Sequence, residues 1–350
     1  VGSVVVTQDM LDDVKEEFSI QSGEPLLSDE GYEQIVESLH WKSPLRFIPS
    51  GTANAYGSFK GERDNSKSRV IDTCIKDSMV KRGYDVKFGK PVMNDYRPWR
   101  IALLDMVNPV TKINMTILEN SKQSFLKDIF ESISEEKLKE VMVYDDITAI
   151  NGAADVAYVD KINRSTSAGN PWKKTKKAFI HAIPPINGLQ EPVMANPEIM
   201  SRVNKCIETY ISGRRYMPNF CAHLKDEPIK FKKIEMGKTR VFTGAPFDWT
   251  IVVRKYLLSV IKLIQENRFT FESAPGTVAQ STEWGDIYYY LTKFEKDRIV
   301  AGDYSAFDKR MPSSVILAAF DIIVEICRKA GYTDEELRVV RGIAEDTAFP

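Results

Sequence analysis

The chain has 350 residues, 43% of them hydrophobic and 28% charged, with a formal net charge of −1; that length exceeds one small core and suggests about two domains. The near-neutral balance excludes a polycation, so a nucleic-acid site has to come from local segregation of charge. Four cysteines (Cys74, Cys206, Cys221, Cys327) and three histidines (His40, His181, His223) lie too far apart for a zinc site or a disulfide framework, and no apolar run nears the roughly 20 residues of a membrane span.

Val4-Val5-Val6 predicts a strand, unlike a secretory signal because acids follow it closely. Ser28 ahead of Asp29 and Glu30 predicts a capped helix over Ser28–His40, and the turn-rich stretch Pro49–Gly57 follows. From 61 to 100, polar and charged residues predict surface loops. Helical spacing returns at Ser121–Phe130 and at Ser134–Met142.

The segment Lys161–Lys177 changes character. It carries six basic residues (Lys161, Arg164, Lys173, Lys174, Lys176, Lys177) and no acid. Its middle, Ser165-Thr-Ser-Ala-Gly-Asn-Pro171, is small, hydroxylated and turn-forming, so its backbone can come close to a ligand. Hydroxyls and N–H groups flanked by lysines suit a phosphodiester backbone; a solvated loop with a run of charge fits the same residues.

A helix is expected over 199–212, ending at Gly213. Lys225–Arg240 then sets six cations (Lys225, Lys230, Lys232, Lys233, Lys238, Arg240) against three acids (Asp226, Glu227, Glu235). Loose alternation after Pro228 predicts a two-stranded ribbon turning near Met236-Gly237, a form able to project several cations toward a polyphosphate. Gly237-Lys238-Thr239 is not a phosphate-binding P-loop, because that motif needs a glycine five residues before Gly237 and Lys232 stands there.

Ile251, Val252, Val253, Tyr256, Leu257, Val260, Ile261 and Ile264 mark a well-buried helix over 249–265. Ser273–Thr277 breaks into a loop, and 283–294 predicts another helix. The short apolar run Ile299-Val300-Ala301, stopped by Gly302, predicts a buried strand with Asp303 where it runs out and Asp308 five residues on. Read alone, Asp303 fits either a turn cap or a ligand to a divalent metal. Pro312-Ser313 opens a helix running to Ala330, with Gly331 as its stop, and Thr333 with Glu336 forms a capping box for the next.

Three stretches then agree in type and order. Ser165–Trp172 resembles motif G of the RNA-dependent RNA polymerases of picorna-like positive-strand RNA viruses, Lys225-Asp-Glu with Gly237-Lys-Thr-Arg240 resembles their motif F, and Asp303-Tyr-Ser-Ala-Phe-Asp308 their motif A. Ala274-Pro-Gly-Thr-Val278 resembles the segment that precedes motif A, and the wording is similar to the dicistrovirus and iflavirus enzymes. DxxxxD alone occurs in many proteins; three motifs in order carry the resemblance.

The resemblance implies an α+β, right-hand polymerase: fingers over 1–248, the first part of the palm over 249–335, and a return toward the fingers from 336 to 350. No Ser-Gly…Thr loop follows Asp308 and no Gly-Asp-Asp turn is present, so the expectation is fingers and partial palm cut off before motif B, without thumb. By resemblance, Asp303 is the catalytic carboxylate for magnesium, manganese being a possible substitute, in a two-metal nucleotidyl transfer. Asp308 stands beside the incoming ribose and its 2′-hydroxyl. Lys238 and Arg240 hold the triphosphate and offset its developing charge, while Lys225 and Lys233 line the nucleotide channel. Asp226 and Glu227 brace the lysines.

Thr166, Ser167, Gly169, Lys173 and Lys174 border the template RNA. Two departures from picornavirus patterns are visible: Lys230 follows Pro228-Ile229 where an arginine is common two residues after the triplet, and Asn170 replaces an aromatic residue. The implied partners are template RNA, nucleoside triphosphates, a small protein primer (VPg) linked through tyrosine, and other viral replication proteins. The implied setting is a polyprotein product in the host cytoplasm at membrane-associated replication complexes. Because one carboxylate cannot hold two divalent ions, the chain is expected to be inactive alone. The alternative is a non-catalytic RNA- or nucleotide-binding module; Asp308 disfavours a reverse transcriptase.

Overall fold

The computed structural model describes residues 67–95, 97–107, 113–186 and 188–349. The strand expected at Val4–Val6, the helix at Ser28–His40 and the turn at Pro49–Gly57 lie outside them. The elements in order are α1 (Lys76–Lys81), β1 (Phe88–Gly89), α2 (Arg97–Val107), α3 (Met115–Ser132), α4 (Glu135–Leu138), α5 (Asp146–Asn151), β2 (Ile180–Ala182), β3 (Val193–Ala195) and α6 (Pro197–Ile211). There follow β4 (Cys221–Leu224), β5 (Ile229–Lys230), α7 (Phe231–Glu235), β6 (Val241–Gly244), α8 (Phe247–Glu266), α9 (Glu283–Leu291), α10 (Phe307–Arg310), α11 (Ser313–Ala330) and α12 (Asp334–Ala348). Among the described residues the strands form three two-stranded antiparallel ladders, β1 with β5, β2 with β3, and β4 with β6.

The chain divides into two compact units. One contains Asn219–Gly244, Asp308–Arg310 and the described residues up to 107; the other contains Thr111–Pro218, Ala245–Phe307 and Met311–Pro350.

The larger unit is helical. Helix α8 is its axis, with Phe247, Ile251, Val252, Tyr256, Leu257, Leu258, Val260 and Leu263 buried against α5, α6 and α12. The interior faces of these helices follow from apolar residues three and four apart, as on one side of an α-helix. Their ends follow from local chemistry. Asn196 caps α6 by accepting the Ile199 N–H, with Pro197 in the first turn. Thr333 and Glu336 close a reciprocal capping box on α12, and Gly331 ends α11 in the left-handed conformation at φ 100°.

Two buried carboxylates tie helix ends together. Asp346, fully buried, accepts from the Tyr210 hydroxyl at 2.6 Å, Arg215 Nε at 2.8 Å and the Met217 N–H at 3.0 Å. The same Tyr210 hydroxyl accepts from Trp249 Nε1 at 2.8 Å. Asp248 accepts from Arg202 Nε at 2.8 Å and from the Tyr216 hydroxyl at 2.9 Å. Each carboxylate thus meets a guanidinium and a tyrosine hydroxyl, which makes its burial tolerable.

The structure corrects several sequence expectations. The helix expected over Ser134–Met142 is the single turn Glu135–Leu138, capped by Ser134. The Ser259 hydroxyl claims the next stretch instead, bonding both the N–H and the C=O of Met142. The loops expected over 61–100 include helix α1, whose residues are all solvent-facing, strand β1 and the start of α2. Ile299-Val300-Ala301 is not a strand and is not buried: Val300 is 97% exposed. A strand needs a partner for its backbone groups, and among the described residues none pairs with it.

Candidate functional site

The basic loop of the larger unit is a short hairpin. Ser167 and Thr175 face each other across a β-bridge, secured by Ala168 N–H to Lys174 C=O at 2.7 Å and Lys176 N–H to Thr166 C=O at 2.9 Å. The tip turns at Gly169 (φ 77°) and Lys173 (φ 52°), with Lys173 N–H bonded to Gly169 C=O. Ser167, Lys173 and Lys174 are exposed there. Gly169 is buried; a Cβ on it would lie 2.9 Å from Pro246 Cα, so its missing side chain makes room for the chain itself. Below the tip, Trp172 Nε1 donates to Glu198 at 2.5 Å and the Arg202 guanidinium lies 5.2 Å over the same indole, which seats the hairpin on α6.

The two predicted hydroxyls differ. Thr166 Oγ1 accepts from Lys176 Nζ at 2.6 Å and gives its own proton to Asn163 C=O at 2.9 Å, so no donor is left for a phosphate. Ser167 Oγ accepts from Gly169 N–H at 3.1 Å and keeps its proton free to donate.

In the smaller unit the cation-rich segment Lys225–Arg240 joins the two arms of a ribbon, β4 and β6, paired from Cys221↔Gly244 to Leu224↔Val241. Lys225 N–H to Arg240 C=O at 2.8 Å closes it at the base. The expected reversal at Met236-Gly237 is present, but the path to it is not a plain ribbon: β5 pairs with β1, α7 follows, and Gly237 (φ 65°) turns the chain back. A Cβ on Gly237 would lie 2.6 Å from Arg97 Nε, and Arg97 is itself held by Asp95 at 2.6 Å and by Glu235 C=O at 3.3 Å.

Glu227 braces two of the predicted cations, Lys225 at 3.0 Å and Arg240 at 3.1 Å. Burial raises the carboxyl's pKa, but these two cations outweigh it and hold Glu227 below the usual range. Among the described residues Asp226 makes no ion pair with a lysine; it accepts from the Ser68 hydroxyl and the Arg69 N–H, both at 2.6 Å. Lys233 and Lys238 are exposed and make no ion pair among the described residues.

Asp303 is exposed, in irregular chain after the exposed Val300. Ala306 takes a left-handed conformation (φ 53°) and caps α10, which carries Asp308 in its first turn; Asp308 accepts from Lys309 Nζ at 3.0 Å. Among the described residues no group of three or more His, Cys, Asp or Glu side chains is gathered for a metal ion. A hard divalent cation takes six or more oxygens, so Asp303 by itself does not complete a metal site. No described helix is long and apolar enough to cross a membrane.

The segment resembling the approach to motif A is locked by Arg268, which sequence reasoning missed. Its guanidinium bonds Glu283 at 2.6 Å, Thr277 Oγ1 at 3.2 Å and the Tyr158 hydroxyl at 3.3 Å. Glu283 in turn accepts the Val278 N–H. Lys176 was also missed: it is one more lysine in a basic run, and only its spacing from Thr166 hints at a tie.

Residues 75–347 match the family model described as viral RNA-dependent RNA polymerase. The chain is 30% identical over 192 residues to the replicase polyprotein of acute bee paralysis virus, covering 54% of this chain and 10% of that protein. It is 27% identical over 260 residues to the RNA1 polyprotein of red clover mottle virus, covering 71% and 13% respectively. A solved Sicinivirus 3Dpol RNA-dependent RNA polymerase shares its fold, with a TM-score of 0.54 and 18% identity over 75% of this chain and 52% of that one. The chain thus spans about half of that polymerase and a small part of those polyproteins. The family model spans all three segments that resemble its motifs: the chain belongs to the viral RNA-dependent RNA polymerase family.

Proposed function

We propose that the chain supplies the fingers (1–248), the first part of the palm (249–335) and a return toward the fingers (336–350) of a polymerase that copies a positive-strand RNA genome. The reaction is template-directed transfer of nucleotides to an RNA 3′ end. The observation that supports it best is the segment Lys225–Arg240, pinned at its base by the β4–β6 ribbon and carrying the ammonium groups of Lys233 and Lys238, which make no ion pair among the described residues. Such preset cations are what a triphosphate requires.

Lys225, Lys233, Lys238 and Arg240 hold the triphosphate, Lys238 and Arg240 offsetting charge on the leaving group, and Glu227 keeps Lys225 and Arg240 in place until it arrives. Asp308 recognises the ribose. Ser167, Lys173 and Lys174 contact the template backbone, with Thr166 and Gly169 shaping the loop that presents them. Divalent magnesium, replaceable by manganese, is the expected cofactor, with Asp303 as one of its ligands. The partners are template RNA, nucleoside triphosphates, a tyrosine-linked protein primer and other viral replication proteins, at membrane-associated complexes in the host cytoplasm.

A second reading for the chain by itself rests on Asp303 offering too few oxygens for two divalent ions: it binds RNA and nucleotide without chemistry. Primer extension tests both. The 350-residue chain is expected to bind a labelled RNA and a triphosphate without extending the primer. Extension by this chain that Asp303→Ala abolishes would overturn the second reading. Failure to bind either ligand would overturn the first.

A further inference from the structure

Lys176 is buried, at 7% exposure, and its ammonium has no carboxylate partner among the described residues. Its Nζ donates to Thr166 Oγ1 at 2.6 Å and to Ser167 C=O at 2.8 Å, and lies 5.8 Å over the Phe247 ring. Desolvation alone acts on its titration and lowers its pKa. An uncompensated buried charge works against the fold, so a structural tie between the two limbs of the hairpin is an expensive use of a lysine. A neutral side chain would pack there at less cost.

We propose that Lys176 is a positioning residue for template RNA: its ammonium fixes the Thr166 hydroxyl and the Ser167 carbonyl, so that the Ser167 hydroxyl and the Lys173 and Lys174 ammoniums are held ready for the phosphodiester backbone. Thr166, with its one proton given to Asn163, serves as the anchor of this arrangement and not as a phosphate donor. The proposal rests on reading the hairpin as a template contact.

The test uses the full chain and a fluorescein-labelled single-stranded oligouridylate, with anisotropy titrations at several salt concentrations and a melting curve for each variant. Lys176→Met is expected to raise Kd about fivefold or more while leaving the melting temperature unchanged or higher. Thr166→Val is expected to raise Kd by a similar factor, and the double variant to be no worse than either single one, because both break one device. Additive losses, or a Kd unchanged in Lys176→Met, overturn the proposal. Should Lys176→Met not fold, the tie is structural and the proposal falls unless Thr166→Val, folded, raises Kd as expected. The Lys173→Ala/Lys174→Ala variant separates the two ideas. If it weakens binding and Lys176→Met does not, the positioning role is wrong and the template reading stands. If neither changes Kd, the template reading itself is wrong.

Discussion

Gly342 lies within α12, where helix propensity and packing give opposite predictions for Gly342→Ala. Propensity favours alanine inside a helix by about 1 kcal/mol. Packing opposes it: a Cβ at 342 would stand 2.1 Å from Tyr210 Cδ1 and 2.5 Å from its Cγ, where ordinary contact begins at 3.4 Å. The ring has little freedom to withdraw. Tyr210 is 1% exposed, and its hydroxyl is held by Asp346 at 2.6 Å and Trp249 at 2.8 Å. Overpacking costs about 1–3 kcal/mol, and dragging the hydroxyl off a buried carboxylate and a buried indole N–H adds about 1–3 kcal/mol. The net expectation is a loss of about 3 kcal/mol, read as a lower urea midpoint with unchanged slope. In a Tyr210→Ala background the clash is gone, and the same substitution should be neutral or slightly stabilising. A Gly342→Ala protein as stable as its parent, or an equal loss in both backgrounds, would refute the reasoning.

Four further outcomes follow from the same geometry. Asp346→Ala removes the acceptor for Tyr210, Arg215 and Met217 N–H and should cost about 3–5 kcal/mol in chemical denaturation. Ser259→Ala leaves both backbone groups of Met142 short of a partner, for a loss of about 1–3 kcal/mol on the same assay. Gly237→Ala meets both a left-handed backbone and Arg97, so triphosphate affinity measured by calorimetry should fall while the melting of the helical unit stays put. The ion pairs of Glu227 obey a sign rule. Its pKa is lowered on folding, so its contribution is present above the ordinary carboxylate value and is lost as pH falls through the lowered one. Amide shifts of Leu224 and Val241 followed by NMR should move in that acid window in the parent and stay flat in Glu227→Gln.

What could be read from the residues was what is written locally. The helices ending at Ile211, Glu266 and Ala330 carry clear apolar spacing, and two of them an end signal of their own at Asn196 or Gly331, so their limits fell within a residue or two of expectation. The family was likewise legible, since three segments of recognisable side-chain type in series need no knowledge of the fold. Long-range pairing was not. Phe88–Gly89 meets Ile229–Lys230, and nothing in either dipeptide names the other. Ile299-Val300-Ala301 has the composition of a buried strand, but burial belongs to the partner and not to the segment. Asp226 stands beside Glu227 in sequence and does a different job, because Ser68 and Arg69 are distant in sequence. Lys176 hides among five other cations, and only its three-dimensional surroundings distinguish it.

The backbone bond from Lys225 to Arg240 has a thermodynamic consequence of its own. It makes the intervening chain a closed loop, and the entropy of closing that loop is met once, by the β4–β6 ribbon, before any ligand arrives. Affinity at the loop then inherits the stability of the ribbon. Substitutions at His223 and Phe242, whose rings pair across the exposed strand faces, should alter binding by changing the fraction of molecules in which the loop is shut.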